Sequence, residues 1–193
     1  MSVYSAALNR RSIRRFRQKP ISPQILKKLI NAARLAPTGA NLQPCEFILV
    51  NQQEIVKKIF PGLKWAGYIR PAGNPPAGKR PTAYIAVLLN QKKKPLCGES
   101  DAAAAAENIL LVAQEQGLGS CWLGAIDKDK IRKILRVPSY CQIMYVIALG
   151  YPDEQPKLEA VRTSIAYWQD KNGRLHVPKR SLKEILHTNV YKK

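Results

Sequence analysis

The chain has 193 residues, enough for one domain with its own core or two small ones, and its 46% hydrophobic content excludes disorder as a description of the whole. No apolar run reaches the roughly 18 to 20 residues a membrane-spanning helix needs; the longest, Ala102 to Gln114, is interrupted by Glu107 and Asn108. The 32 basic against 13 acidic residues give a formal charge of +19, which suits nucleic acid but would equally steer an anionic cofactor or substrate inward.

The charge is unevenly spread. From Pro95 to Ile126 there is no Lys or Arg, while Glu99, Asp101, Glu107 and Glu115 fall there, so the basic excess belongs to the two ends and to surface helices. Its densest part is Asn9-Arg10-Arg11-Ser12-Ile13-Arg14-Arg15-Phe16: four arginines, a hydroxyl and two apolar anchors. A guanidinium is a planar fork of donors matched to phosphate oxygens, and it stays charged at any working pH. Taken alone, such a run is a polyanion grip, a solvated charged face, a targeting segment or a nucleic-acid contact. An Arg-rich, acid-poor start has the composition of a mitochondrial presequence. Pro20-Ile21-Ser22-Pro23, however, leads straight into a helix pattern with no loose linker.

Ser22 is an N-cap with Pro23 at the first helical position. Ile25, Leu26, Leu29, Ile30 and Ala33 recur at helical spacing until Pro37 ends the helix at about Ala36. Thr38 to Pro44 is a turn of small and amide side chains, Phe47 to Val50 a strand, and Gln53 to Phe60 a short helix. Residues 61–81 hold five prolines and four glycines around Trp65 and Tyr68, the composition of a loop long enough to serve as a lid. Thr82 to Leu89 is so apolar that the spacing predicts a strand buried on both faces, and Gln91 to Pro95 is a surface turn. Asp101 is positioned to cap the longest helix, Ala102 to about Gln116, which is apolar nearly all round and needs burial in a core or between subunits. Gly117-Leu118-Gly119 stops it. A short strand, Ser120 to Leu123, precedes a helix opened by Asp127, with Ile131, Ile134 and Leu135 inward. Ile143 to Leu149 is a further strand, Asn172-Gly173 a hairpin signal, and a last helix starts at Ser181. Strands and helices interleave without strict βαβ repetition, so the expected class is α+β or mixed α/β.

Side-chain catalysis is poorly supplied. His176 and His187 are the only histidines, and neither neighbours a convincing nucleophile or carboxylate pair. Cys45, Cys97, Cys121 and Cys141 are widely spaced without a C-x-x-C pair, so zinc is not expected, and all four read as small buried core residues in a reducing, cytoplasmic setting. No G-x-G-x-x-G follows a strand and no P-loop occurs. An enzyme of this kind would take its chemistry from a bound cofactor.

Five motifs in register carry a resemblance. Arg10 to Phe16 resembles the R-x-S-x-[RK]-x-[FY] opening of the FMN-dependent nitroreductase family. It is followed in order by Ala36 to Pro44, the alanine-rich helix from Asp101, Gly117 to Gly124, and Ala148-Leu149-Gly150-Tyr151-Pro152. The tail from Trp168 through His176 to Val177-Pro178-Lys179-Arg180-Ser181-Leu182 is similar to one branch of that family.

The resemblance implies an α+β fold with a central mixed or antiparallel sheet flanked by helices, in an intertwined homodimer. A single FMN-binding domain would span residues 1–193, with 61–81 as a lid and 161–193 as a C-terminal extension. It implies FMN as cofactor, NADH or NADPH as electron donor, and hydride transfer to a nitro, quinone or similar electron-poor small molecule. Arg10 and Ser12, with Arg11 beside them, would hold the phosphate and ribityl end, and Arg14 would face the pyrimidine edge of the ring, where a cation stabilises charge on the reduced flavin. Pro37, Thr38, Gly39, Ala40, Asn41 and Gln43 would come from the partner subunit. Leu123 and Gly124 would lie against the ring near N5 through a backbone contact. Lys179 and Arg180 match the family's C-terminal phosphate-binding pair, with Arg162 as a competitor. Many members carry an aromatic residue where this chain has Cys45. The alternatives are a basic nucleic-acid-binding module, which lacks a recognition-helix or aromatic-stacking signature, and a flavin-binding protein without turnover. Neither a nucleic acid nor a membrane is expected as a partner.

Overall fold

The computed structural model describes residues 1–191. In chain order the elements are α1 (Val3–Asn9), β1 (Phe16–Arg17), α2 (Pro23–Arg34), β2 (Cys45–Val50), α3 (Gln53–Ile59), β3 (Ala83–Asn90), α4 (Gly98–Glu115), β4 (Gly119–Leu123), α5 (Lys128–Leu135), β5 (Cys141–Pro152), β6 (Lys157–Ala160), β7 (Trp168–Gln169), β8 (Leu175–Lys179) and α6 (Leu182–Ile185). The long strand β5 is the spine. It pairs with β3 along one edge, and along the other with β4 and then, at its end, with β1; β2 lies outside β3. Every pairing in this five-stranded sheet is antiparallel. All positions of β3 are buried, as its unbroken apolar run predicts.

Alternation along β3 and β5 sends side chains into two cores. Ile85, Val87, Ile147 and Leu149 pack with Leu26, Leu29 and Ala33 of α2 and with Ala102, Ala106, Ile109 and Ala113 of α4. Tyr84, Ala86, Leu88, Val146 and Ala148 face the other way, onto Val56 and Ile59 of α3 and Ile131 of α5. The result is helix pairs on both sides of one sheet. The α2 start is as expected: Ser22 Oγ accepts from the Ile25 amide, with Pro23 at the first turn. Asp127 caps α5 in the same way, accepting from the Lys130 amide.

Between α1 and β1 the chain runs across the sheet margin. The Ile13 amide donates to Ser120 O at 2.8 Å, and Ser12 bridges Ser120. Two glycines make this close approach possible. A Cβ on Gly119 would lie 2.9 Å from Ile13 Cβ, and one on Gly150 would lie 3.0 Å from Phe16 Cβ. Ile13 and Phe16 are buried there as anchors.

The tail forms a second sheet in which β8 pairs parallel with β6 and antiparallel with β7. The Asn172-Gly173 turn is closed by Asp170 Oδ1, which accepts from the Asn172 and Arg174 amides, with Gly173 at φ 75°. Against the expectation that neither histidine neighbours a carboxylate pair, His176 lies buried in this sheet between two acids brought to it by the fold. Its ring stacks on Trp168 and lies 2.9 Å from Glu159 and 3.2 Å from Asp170.

Three expectations are corrected. α4 begins at Gly98 rather than Ala102, and Gly98 is seated so closely on Leu89 that an added Cβ would meet its Cδ2 at 2.4 Å. Asp101 therefore sits inside the first turn, and instead of capping the helix its carboxylate accepts from the amide of Gly39. Of the four free cysteines, Cys121 and Cys141 are buried, Cys45 is half-buried and Cys97 is exposed where the chain turns into α4. The helix α1, capped by Ser2, had no counterpart in the sequence reading.

Candidate active site

The arginine segment is held from below by Ile13 and Phe16 and from the side by acids. Glu154 Oε1 accepts the backbone N–H of Arg14 at 2.5 Å and of Arg15 at 3.3 Å, and Arg10 Nε lies 3.6 Å from Glu107 on α4. Among the described residues, neither Arg11 nor Arg14 has a carboxylate partner within ion-pair distance. Arg14 instead places its guanidinium 5.3 Å from the centre of the Tyr167 ring. The Nε atoms of both Arg11 and Arg14 are buried with no hydrogen-bond partner. Burial, and then the charge of Arg10 beside it, pull the Arg11 pKa down. A cavity of about 410 Å³ opens beside Arg11, with Asn9, Gln114, Glu154 and Gln155 on its walls. Clustered cations with orphaned donors are an arrangement that asks for an anion.

The second candidate stretch, Pro37 to Gln43, is a turn at the end of α2. The Gly39 amide donates to Asp101 Oδ1 at 2.9 Å, and the Gln43 amide donates to Thr38 Oγ1 at 3.1 Å. Ala40, Asn41 and Gln43 all have positive φ, at 49°, 55° and 48°, a conformation that L-residues with a Cβ adopt only at a cost. Pro37, Ala40, Asn41 and Gln43 are exposed, with Thr38 and Gly39 half-buried. Asp101 is buried, and its second oxygen, Oδ2, has no partner.

Leu123 is buried at the end of β4, and Gly124 just beyond it is exposed; a Cβ there would meet only Tyr145, at 4.0 Å. Trp122 and Tyr145 form an edge-on pair beside it. Lys179 and Arg180 are exposed at the end of β8, and Arg180 donates to Glu184 O. The structure thus brings Arg10, Arg11, Ser12 and Arg14 together along one margin of the sheet. No hydrogen bond or ion pair among the described residues joins that cluster to the Pro37–Gln43 turn, to Leu123 and Gly124, or to Lys179 and Arg180. In residues 61–81, Trp65 is buried against Phe60, while Tyr68 is exposed and packs edge-on against Tyr167.

Two of the thiols near these stretches are made harder to ionise by burial. Burial pushes the Cys45 thiol up to about 11, with Asp101 adding to the shift, and burial also raises Cys121. Among the described residues no group of His, Cys, Asp and Glu could hold a metal ion, and no helix is long and apolar enough to cross a membrane. A larger cavity of about 740 Å³ lies elsewhere, between β2, α3 and α5, and none of the candidate residues lines it. Sequence reasoning missed three residues that shape the site: Glu154, Tyr167 and the true role of Asp101. Each acts on a partner remote in the chain, so local spacing carries no signal of it.

Residues 7–151 match the Nitroreductase family. The chain belongs to that family. It is 35% identical over 159 residues, 78% of this chain and 86% of the relative, to an Archaeoglobus fulgidus protein described as a candidate NADH dehydrogenase/NAD(P)H nitroreductase. An NADPH-dependent oxidoreductase of Staphylococcus saprophyticus is 25% identical across 98% of this chain and 74% of its own length. A structure described as an FMN-dependent nitroreductase of Clostridium difficile R20291 superposes with a TM-score of 0.73 at 27% identity, covering 97% of this chain and 99% of that one. The nitroreductase match stops at Tyr151, so Glu154, Tyr167 and the second sheet lie beyond it.

Proposed function

We propose that this nitroreductase-family protein is an FMN-dependent oxidoreductase working as a homodimer, with one cofactor site at each end of the subunit interface. The observation that carries the reading is the pair of buried Nε atoms without a hydrogen-bond partner on Arg11 and Arg14, two arginines that among the described residues have no carboxylate within ion-pair distance. A phosphate and an electron-rich ring edge supply the acceptors this cluster lacks, so the residues fit FMN. The names of the Archaeoglobus, Staphylococcus and Clostridium relatives support the same cofactor and a nicotinamide donor.

Arg10, Arg11 and Ser12 would hold the phosphate and ribityl end. Arg14 would face the pyrimidine edge, where its fixed charge favours the reduced, more negative state. The open backbone at Leu123 and Gly124 would lie along the ring. Pro37, Thr38, Gly39, Ala40, Asn41 and Gln43 would enter from the partner subunit; the exposure of Pro37, Ala40, Asn41 and Gln43, and the lack among the described residues of any bond to the arginine cluster, support that division. Lys179 and Arg180, exposed and among the described residues without a carboxylate within ion-pair distance, are candidates for a further phosphate contact. Residues 61–81 would act as a lid over the acceptor, within one functional unit that includes the 161–193 extension, whose last two residues lie outside the described ones. Apolar side chains exposed along the tail (Leu182, Ile185, Leu186, Val190) support association with a second copy. The chemistry FMN supplies when bound is hydride transfer, from NADH or NADPH to an electron-poor acceptor such as a nitro compound or a quinone. No acid or base from the chain is required for the first transfer. Four free cysteines suit a reducing cytoplasm.

The test is direct. FMN added to the purified protein is expected to yield, after gel filtration, a dimer absorbing near 450 nm (roughly the flavin band), bleached by NADH or NADPH and restored by a quinone or nitro compound. A colourless protein after FMN addition overturns the reading, and a coloured one that neither nicotinamide bleaches leaves a flavin binder without turnover. Arg14→Ala is expected to weaken FMN binding at least tenfold, the scale of one lost charge-assisted contact.

A further inference from the structure

We infer that Glu154 is the positioning residue of the arginine segment, and that through Arg15 it couples residues 61–81 to the site; the part concerning FMN rests on the reading above. Glu154 is not among the residues placed against the cofactor. Its side chain is only 13% exposed, and its two oxygens divide the work. Oε1 accepts both backbone amides, those of Arg14 and Arg15, while Oε2 faces Arg15 Nη1 at 3.5 Å. The other arm of the same guanidinium, Arg15 Nη2, reaches Ala72 O at 3.4 Å, inside the 61–81 segment. One carboxylate therefore fixes the backbone from which the Arg14 side chain departs and also orients the cation that ties down the loop.

The neighbouring residue strengthens the same junction. The Asp153 amide donates to Arg15 O at 2.9 Å, and its carboxylate pairs with Lys79 at 2.9 Å and with Arg17 at 3.8 Å. The Phe16 amide donates to Lys79 O at 3.0 Å. In a chain carrying +19, two consecutive acids are thus the point where the arginine segment and the loop converge. A half-buried carboxylate does here what a neutral group cannot. A glutamine could still accept from the amides, but its Nε2 would set a donor against the donors of Arg15, and four neighbouring arginines would lose a compensating charge.

Glu154→Gln, Glu154→Asp and Arg15→Gln, compared with the parent, separate the possibilities. Three quantities are read on each: FMN affinity by fluorescence quenching, amide hydrogen exchange at Arg14 and Arg15 in FMN-free protein, and the rate of trypsin cleavage at Lys64 and Lys79. Glu154→Gln is expected to weaken FMN about tenfold or more, in keeping with a charge-assisted contact. It should also speed exchange at both amides and increase cleavage in the loop. Glu154→Asp should recover part of each effect, because the charge remains while the reach shortens. Arg15→Gln should release the loop while FMN affinity stays within about threefold, since the Glu154 bonds to the two amides survive. Parent-like exchange and FMN affinity in Glu154→Gln overturn the inference. So does an FMN loss in Arg15→Gln as large as in Glu154→Gln, because a general loosening then explains both. If Glu154→Gln does not fold, Glu154→Asp decides on the same readouts, with parent-like values again overturning the inference. If the parent takes up no FMN while exchange and cleavage respond as described, the FMN reading fails and the positioning role stands.

Discussion

The two stretches expected to meet the cofactor are secured in opposite ways. Arg10 to Phe16 has no residue at positive φ and is fastened by burial: Ile13 and Phe16 lie over Gly119 and Gly150, with backbone bonds to Ser120 and Glu154. The turn from Thr38 to Gln43 has no fully buried side chain, carries three left-handed residues and hangs on Asp101 and Thr38. Packing holds a segment in one place because every displacement opens a cavity or makes a clash. A strained turn resting on one acid holds its shape with less margin, which suits a surface to be completed by a neighbour. The first segment is finished within the chain; the second is presented outward.

The largest test of this contrast removes the deeper anchor. Phe16→Ala is expected to cost about 3–5 kcal/mol, the usual loss for a buried phenylalanine. At roughly 2–4 °C per kcal/mol for a chain of this size, thermal unfolding should fall by about 6 °C or more. Gly150→Ala attacks the same anchor from the sheet side. With Phe16 Cδ1 only 2.7 Å from the new Cβ, overpacking should cost about 1–3 kcal/mol in the same melting measurement. A parent-like melt for either variant would mean that burial does not fix the segment. In the turn the sign should reverse. Ala40→Gly removes the Cβ from a residue at φ 49° and should raise stability by about 1 kcal/mol, whereas unchanged or lower stability would show that the turn is not strained.

The smallest expected effect concerns the second sheet and depends on pH. Hydrogen bonds that His176 donates to Glu159 and Asp170 raise its pKa, and the same contacts help to lower those of the two acids. A histidine whose folded value is raised contributes stability that is complete below its ordinary value and is lost as pH rises through the folded one. Acids with lowered values contribute above their ordinary range and lose that contribution as pH falls through their folded values. The sheet should therefore be most stable between the ordinary carboxylate value of 4.5 and the ordinary histidine value of 6.5, weakening on either side. Amide exchange in β8 should follow this bell while that of Ile13 and Phe16 does not, and His176→Gln should flatten the alkaline limb. A flat profile in the parent would remove the charge role assigned to the cluster.

Much of the frame was legible because its signals are local. Ser22-Pro23, Asp127, the unbroken apolar run of β3 and Asn172-Gly173 each specify structure within a few residues, and each is found as expected. The arginine cluster was legible by its composition. What escaped depends on distant partners. Asp101 looks like a cap in its own neighbourhood, but its carboxylate is used by Gly39, 62 positions away. The small size of cysteine suggests burial for Cys97, whereas that residue is exposed just before α4 begins at Gly98. The short helix α1 has only seven residues and buries only Ala6, leaving Val3, Tyr4 and Leu8 exposed, so its sequence signal is brief.

The hydrogen bond between the Arg14 amide and Glu154 spans 140 positions of sequence, and that span also sets an order in time. The arginines leave the ribosome first, yet the acid that sets their backbone follows only after those 140 residues, roughly 7 to 28 s later at about 5–20 residues per second. Until then the segment lacks the carboxylate that accepts its Arg14 and Arg15 amides. It acquires its final shape only when the spine strand β5 is complete and the turn beyond it has folded back. A nascent chain stalled before Glu154 should therefore carry the segment's charge without the contact that fixes its backbone.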